Sequence, residues 1–263
     1  MDEDQEKAVT LAKSGKSFFL TGAGGTGKSY VIRNIIDALF KDNKDVSLTA
    51  MTGCAALLLG KMAKTLHSWA GIGLGKEELP VLIAKARKSK KAANNWKVCD
   101  TLIVDEVSMM TPDLLDKLNE IAKAVRKSKD PFGGIQLILV GDMYQLPPIN
   151  RDSKTFFVFE SEFWKEHIKH SVTLKTIHRQ SDPVFLKILG EARAGLLSKE
   201  SIDILNTRKT KAWKKLEIKP TLLFTRRADV EEINQTQLSK CEGEDVVFVA
   251  RTKKTPQHFT EFR

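Results

Sequence analysis

The chain has 263 residues, room for one large domain or two ordinary ones, and is 41% hydrophobic, enough to build a core. Lys and Arg number 43 against 33 Asp and Glu, a net charge of +10 that excludes an acidic disordered chain and suggests a polyanionic partner. Cys54, Cys99 and Cys241 form no CxxC pair, His167 and His170 lack further ligands, no apolar run approaches the roughly 18 residues of a membrane span, and MDEDQEKAV resembles no signal or transit peptide. These features exclude a disulfide framework and a structural zinc site, and they lead to the expectation of an intracellular protein with no membrane partner.

In chain order, Ser17–Thr21 reads as a short apolar strand, followed by a glycine-rich turn. An amphipathic helix then carries Val31, Ile32, Ile35, Ile36 and Leu39. Val46–Ala50 is a second strand, Leu102–Asp105 a third and Leu137–Gly141 a fourth. The last two are nearly continuous apolar runs, the pattern of strands buried on both faces. Thr111 is placed to cap a helix that has Pro112 at its first position. Residues 72–97 differ: they are rich in Gly, Lys and Ala and contain KARKSKK, five basic residues in seven, at 85–91. This stretch reads as a basic surface insertion, either a solvated helix face or a binding site. Val172–Leu174, helices around 183–206, a strand at Thr221–Thr225 and another at Val246–Ala250 complete the chain. The alternation predicts an α/β fold with a parallel sheet and crossover helices.

GAGGTGKS at 22–29 satisfies both GxGxxG and GxxxxGK[ST]. A dinucleotide site needs an acid at the end of the second strand, and Thr49-Ala50-Met51-Thr52 offers none. Lys28 and Ser29 complete the P-loop instead. Gly22, Gly24, Gly25, Thr26 and Gly27 would let backbone N–H groups curl around phosphates at a helix N-terminus. Lys28 would reach the β- and γ-phosphates of ATP, and Ser29 would give Mg²⁺ a hydroxyl ligand. The apolar run Leu102-Ile103-Val104 leads straight into Asp105-Glu106. Asp105 would hold Mg²⁺ through water, and Glu106 would orient and deprotonate the attacking water. Gln145 follows Gly141-Asp142 at a third strand end, where it can contact the γ-phosphate; Pro147-Pro148 stiffen the exit.

VDEVSM at 104–109, PFGGIQLILVGDMYQLPP at 131–148 and KTLHSWAGIG at 64–73 resemble superfamily 1 DNA helicases, above all the petite-integration-frequency (Pif) family, relatives of RecD. The resemblance runs from about Gln5 to about Asn234 and implies a P-loop NTPase with a RecA-like parallel sheet flanked by helices. It also implies 5′-to-3′ movement on single-stranded DNA at the expense of ATP, with 5′-tailed duplex as a partner, and roles in DNA repair, recombination and telomere maintenance. Gln5 resembles the family's adenine-reading glutamine. His178-Arg179-Gln180 resembles the segment whose arginine reaches the phosphates from the second domain. TAMTGCAA at 49–56 and Thr65-Leu66-His67-Ser68 resemble strand-contacting motifs, which makes Thr52, Thr65 and His67 candidates for DNA contact. Trp69 is either a stacking platform for a base or a core aromatic beside Leu66.

After TLLFTRRADVEEIN (221–234) the family continues through a β-barrel insertion, a segment like T-x-H-K-S-Q-G and a last helix with another arginine, and neither of the latter two is found here. The resemblance therefore implies a truncated helicase: a first RecA-like domain at 1–170, then an incomplete second at 171–263 with a barrel insertion starting at 238–263. A monomer is expected, with completion by a second chain left open. A non-catalytic single-stranded nucleic-acid-binding subunit is the alternative, resting on KARKSKK and on RKTKAWKK at 208–215, which sets Trp213 among five basic residues. A P-loop kinase for a small molecule would explain 22–29 and 105–106 but not 131–148 or 64–69.

Overall fold

The computed structural model describes residues 1–148, 156–209, 217 and 220–243. Helix α1 (Glu3–Lys13) opens the chain, started by a reciprocal capping box between Asp2 and Gln5. Strand β1 (Phe18–Gly22) and the glycine loop lead into α2 (Lys28–Lys41), which buries Val31, Ile32, Ile35 and Leu39. Next come β2 (Val46–Ala50), α3 (Gly53–Leu59), the two-residue β3 (Lys64–Thr65) and α4 (Leu66–Ala70). Helices α5 (Leu79–Lys88) and α6 (Lys90–Val98) precede β4 (Thr101–Asp105). Helix α7 (Pro112–Arg126) has Thr111 as its cap and Pro112 in its first turn, as the sequence predicts. Then follow β5 (Gln136–Gly141), α8 (Glu162–His167), β6 (His170–Leu174), α9 (Pro183–Ala194), α10 (Lys199–Thr207) and α11 (Arg227–Leu238).

The six strands form one parallel sheet in the order β3-β2-β4-β5-β1-β6. β4 and β5 are buried at every position, which explains their unbroken apolar runs. Side chains alternate between two cores. Leu102, Val104, Leu137 and Leu139 pack with α4 to α7; Ile103, Ile138 and Val140 pack with α1 and α2. The register sets Ala50 beside Asp105, Thr21 beside Gly141 and Gly22 beside Leu174. The loops leaving β1, β4, β5 and β6 thus emerge at one sheet edge. This is the RecA-like P-loop arrangement expected from the sequence. Among the described residues, no helix is long and apolar enough to cross a membrane.

Three expectations need correction or restatement. The basic stretch 72–97 is more than a surface insertion. Leu82 and Ala86 on α5, and Ala92 and Trp96 on α6, lie four residues apart on inward stripes and are buried, with Leu82, Ala86 and Trp96 in the α7 core. The Trp96 indole donates to the Ala70 carbonyl at 3.0 Å, and only the lysine-bearing face is outward. The boundary expected at residue 170 falls at the first residue of β6, which pairs with β1, and the first compact unit extends over Met1–Asp203. Within the second unit, Ile204–Arg263, Thr221–Thr225 is not a strand. Among the described residues no neighbouring strand offers it a ladder, and Leu223 is almost fully exposed. Trp213, Val246–Ala250 and most of 238–263 lie outside the described residues.

Candidate active site

The loop between β1 and α2 is held from inside. Thr26 is buried and donates its hydroxyl to the Ala23 carbonyl at 2.9 Å. The Lys28 ammonium donates to the carbonyls of Gly22 at 2.8 Å and Ala23 at 3.2 Å. Gly25 and Gly27 both have φ near +88°, a left-handed backbone that favours glycine. A Cβ on Gly25 would sit 2.8 Å from the Arg179 Cβ, and one on Gly27 3.0 Å from the Gln5 amide nitrogen.

A recess of about 400 Å³ opens above this loop. Gly24, Gly25, Gly27, Lys28 and Ser29 form one wall; Asp105, Glu106, Gln145, His178 and Arg179 form the rest. A second recess of about 460 Å³ adjoins it through Gly27 and His178, and is lined also by Asp2, Gln5 and Tyr30. The sheet register brings these residues together: β4 delivers the acidic pair, β5 delivers Gln145, and the segment after β6 delivers His178 and Arg179. The backbone N–H groups of His178 and Arg179 both donate to the Gly25 carbonyl, at 2.8 and 3.3 Å. Arg179 therefore belongs to the Met1–Asp203 unit. The expectation that it reaches in from a second domain is corrected: because β6 lies beside β1, its outgoing segment passes over the loop that leaves β1.

The electrostatics suit a charged ligand. Burial pushes the Lys28 ammonium below the usual lysine range, although Asp142, Glu106 and Asp105 pull it back. Burial pushes the Asp105 carboxyl up to about 6, opposed by the Glu106 N–H, which donates to Asp105 Oδ1 at 2.9 Å. Glu106 holds a left-handed backbone, φ 56° and ψ 40°, uncommon for a non-glycine and frequent at functional sites. Asp105 and Ser29 offer oxygen ligands of the kind Mg²⁺ takes, and a buried carboxylate of raised proton affinity is stabilised by a cation. Among the described residues no group of three or more His, Cys, Asp or Glu could hold a metal ion.

The residues linked to DNA fare differently. Thr52 caps α3 by accepting from the Ala55 N–H, and Thr65 caps α4 by accepting from the Ser68 N–H. Both remain partly exposed, just past β2 and at the end of β3. His67 is half-buried, and burial pushes its imidazole below the usual histidine range. It lines a recess of about 350 Å³ with Met51, Lys76 and Lys117. Trp69 is corrected: it is 2% exposed and meets Trp96 edge-on at 4.6 Å, so it presents no face on which a base could stack. Residue types and spacing assigned no role to Asp142 or Arg193. Asp142 stands after an apolar strand, a signal available in the sequence; Arg193 gives none.

A sequence model of the PIF1-like helicase family matches residues 1–188. The ATP-dependent DNA helicase PIF1 of Saccharomyces cerevisiae is 40% identical over 262 residues, covering 95% of this chain and 29% of that protein. The crystal structure of Pif1 helicase from Candida albicans superposes with a TM-score of 0.85 at 41% identity, over 93% of this chain and 55% of that one. The Bacteroides Pif1 helicase in complex with ADP-AlF3 and single-stranded DNA gives 0.78 at 30% identity, over 92% and 58%. The chain spans about a third of the length of the curated relatives it matches.

Proposed function

The chain belongs to the PIF1-like helicase family, and from that premise we propose that it binds ATP with Mg²⁺ and hydrolyses it under the control of single-stranded DNA, as part of a 5′-to-3′ DNA helicase. The observation that carries this reading is the gathering of Lys28, Ser29, Asp105, Glu106, Gln145 and Arg179 around one recess.

In this reading Gln5 contacts the adenine in the adjoining recess, and the loop Gly22–Ser29 with Lys28 holds the phosphates through its backbone N–H groups and ammonium. Ser29 and Asp105 would hold Mg²⁺, which would supply neutralisation of the phosphate charge. Glu106 orients a water whose oxygen attacks the γ-phosphorus while the bond to the β-bridging oxygen breaks, and the water's proton passes to the Glu106 carboxylate. Gln145 reads the γ-phosphate. Arg179 stabilises the charge that builds on the transferring group, acting from the same unit as the P-loop. Thr52, Thr65 and His67 line the path of the DNA strand, and 5′-tailed duplex is the substrate for unwinding. The protein works as a monomer inside the cell, in DNA repair, recombination and telomere maintenance.

The test is binding of a fluorescent ATP analogue with Mg²⁺. Lys28→Ala is expected to weaken it by about tenfold or more, the loss of charge-assisted bonds to phosphate. Equal binding by the variant would contradict the reading. A non-catalytic nucleic-acid-binding subunit, the second reading, draws on the exposed Lys88, Lys90 and Lys91; under it Glu106→Gln costs no rate of ATP hydrolysis, because there is none to lose.

A further inference from the structure

We propose that Arg193, acting through Asp142, is a positioning residue that sets Gln145 for reading the γ-phosphate. The inference rests on the ATP reading of the recess. Asp142 follows β5, and its side chain is 2% exposed. Four donors converge on its carboxylate. Arg193 approaches as a fork, with Nη2 to Oδ1 at 2.8 Å and Nε to Oδ2 at 3.1 Å. The Tyr144 N–H donates to Oδ1 at 3.1 Å, and the Gln145 side-chain amide donates to Oδ2 at 3.5 Å. The Gln145 N–H closes the turn onto the Asp142 carbonyl at 2.9 Å.

The Arg193 guanidinium also lies 4.3 Å from the centre of the Tyr144 ring. It therefore grips the turn 142–145 at two points, the buried carboxylate and the exposed aromatic. A planar fork fixes the rotation of the carboxylate it meets, and that carboxylate is the hydrogen-bond partner of the Gln145 side chain. Arg193 stands in the last turn of α9, and α9 begins four residues after Arg179. One stretch of chain thus supplies an arginine to the recess and a second to the turn that carries the sensor. Only the Asp142 end of the pair is buried, and such an ion pair contributes little net stability, so its role here is fixed geometry.

The experiment measures dissociation constants of a fluorescent ADP and of a non-hydrolysable ATP analogue, with Mg²⁺, on the full chain. The variants are Arg193→Gln, Gln145→Ala and the two together. The wild type is expected to prefer the ATP analogue. Arg193→Gln and Gln145→Ala should each shrink that preference about tenfold, one phosphate-directed hydrogen bond's worth, while ADP affinity moves less than about twofold. The double variant should lose no more than either single one, because the two residues act as a unit. The pair Asp142→Asn with Arg193→Gln removes both charges, leaves no unpaired buried carboxylate, and is expected to show the same loss without a large fall in Tm. Retained preference in a folded Arg193 variant, equal weakening of both nucleotides, multiplying effects, or equal wild-type affinity for the two nucleotides would each overturn the inference. A wild type that binds neither nucleotide would overturn the ATP reading itself, and the inference with it.

Discussion

Burial pushes the Asp105 carboxyl up to about 6, whereas in an unfolded chain it titrates near 4. Between those values the native protein binds more protons than the unfolded one, so this group's contribution to stability falls as pH rises through about 4 to 6. Asp105→Asn removes the titration. In metal-free protein the variant should gain on the wild type by about 2–3 kcal/mol between pH 4 and pH 7, read by denaturant unfolding at each pH. Parallel stability curves would contradict the burial account. The site's chemistry was legible where it is contiguous: Lys28 and Ser29 lie within one loop, and Asp105-Glu106 directly follow an apolar run. The Asp142–Arg193 fork was not legible, because its partners lie 51 residues apart and a lone arginine on a helix carries no signal. Trp69 was ambiguous because helical spacing beside Leu66 fits a core and a platform equally; its contact with Trp96 decides for the core.

At the scale of elements, β1, β2, β4, β5 and β6 were read to within two residues; β4 and β5, buried at every position, announce themselves by continuous apolar runs, whereas the apolar residues of Thr221–Thr225 belong to no strand. Two-residue β3 has no such run, and α1 was missed because its start signal is a polar capping box rather than an apolar stripe. Helices α5 and α6 were read as surface because lysines outnumber their few inward residues. Trp96 settles their role: it is fully buried and donates to the Ala70 carbonyl. Trp96→Ala should cost about 3–5 kcal/mol. Lys91→Ala, on the exposed face of the same helix, should cost under about 0.5 kcal/mol in the same unfolding measurement. Similar small losses for both would restore the surface-insertion reading.

At the scale of the whole molecule, the positive surplus of the chain favours a phosphate backbone as partner. Binding to single-stranded DNA should weaken with salt at a log–log slope of roughly −0.7 per phosphate contact, and a flat dependence would argue against backbone recognition. The family resemblance was legible from about Gln5 to about Asn234 through the motifs at 64–73, 104–109 and 131–148, whereas the pairing of β6 with β1 was not, because it is a long-range choice that no local pattern announces. The central claim joins the nucleotide recess to DNA, and one measurement addresses both. ATP hydrolysis by this chain, with and without single-stranded DNA, is compared with that of Glu106→Gln. A DNA-stimulated rate that falls by roughly a hundredfold or more in the variant, the scale of a lost general base, is the predicted result. A rate indifferent to DNA, or undiminished by Glu106→Gln, would contradict the account.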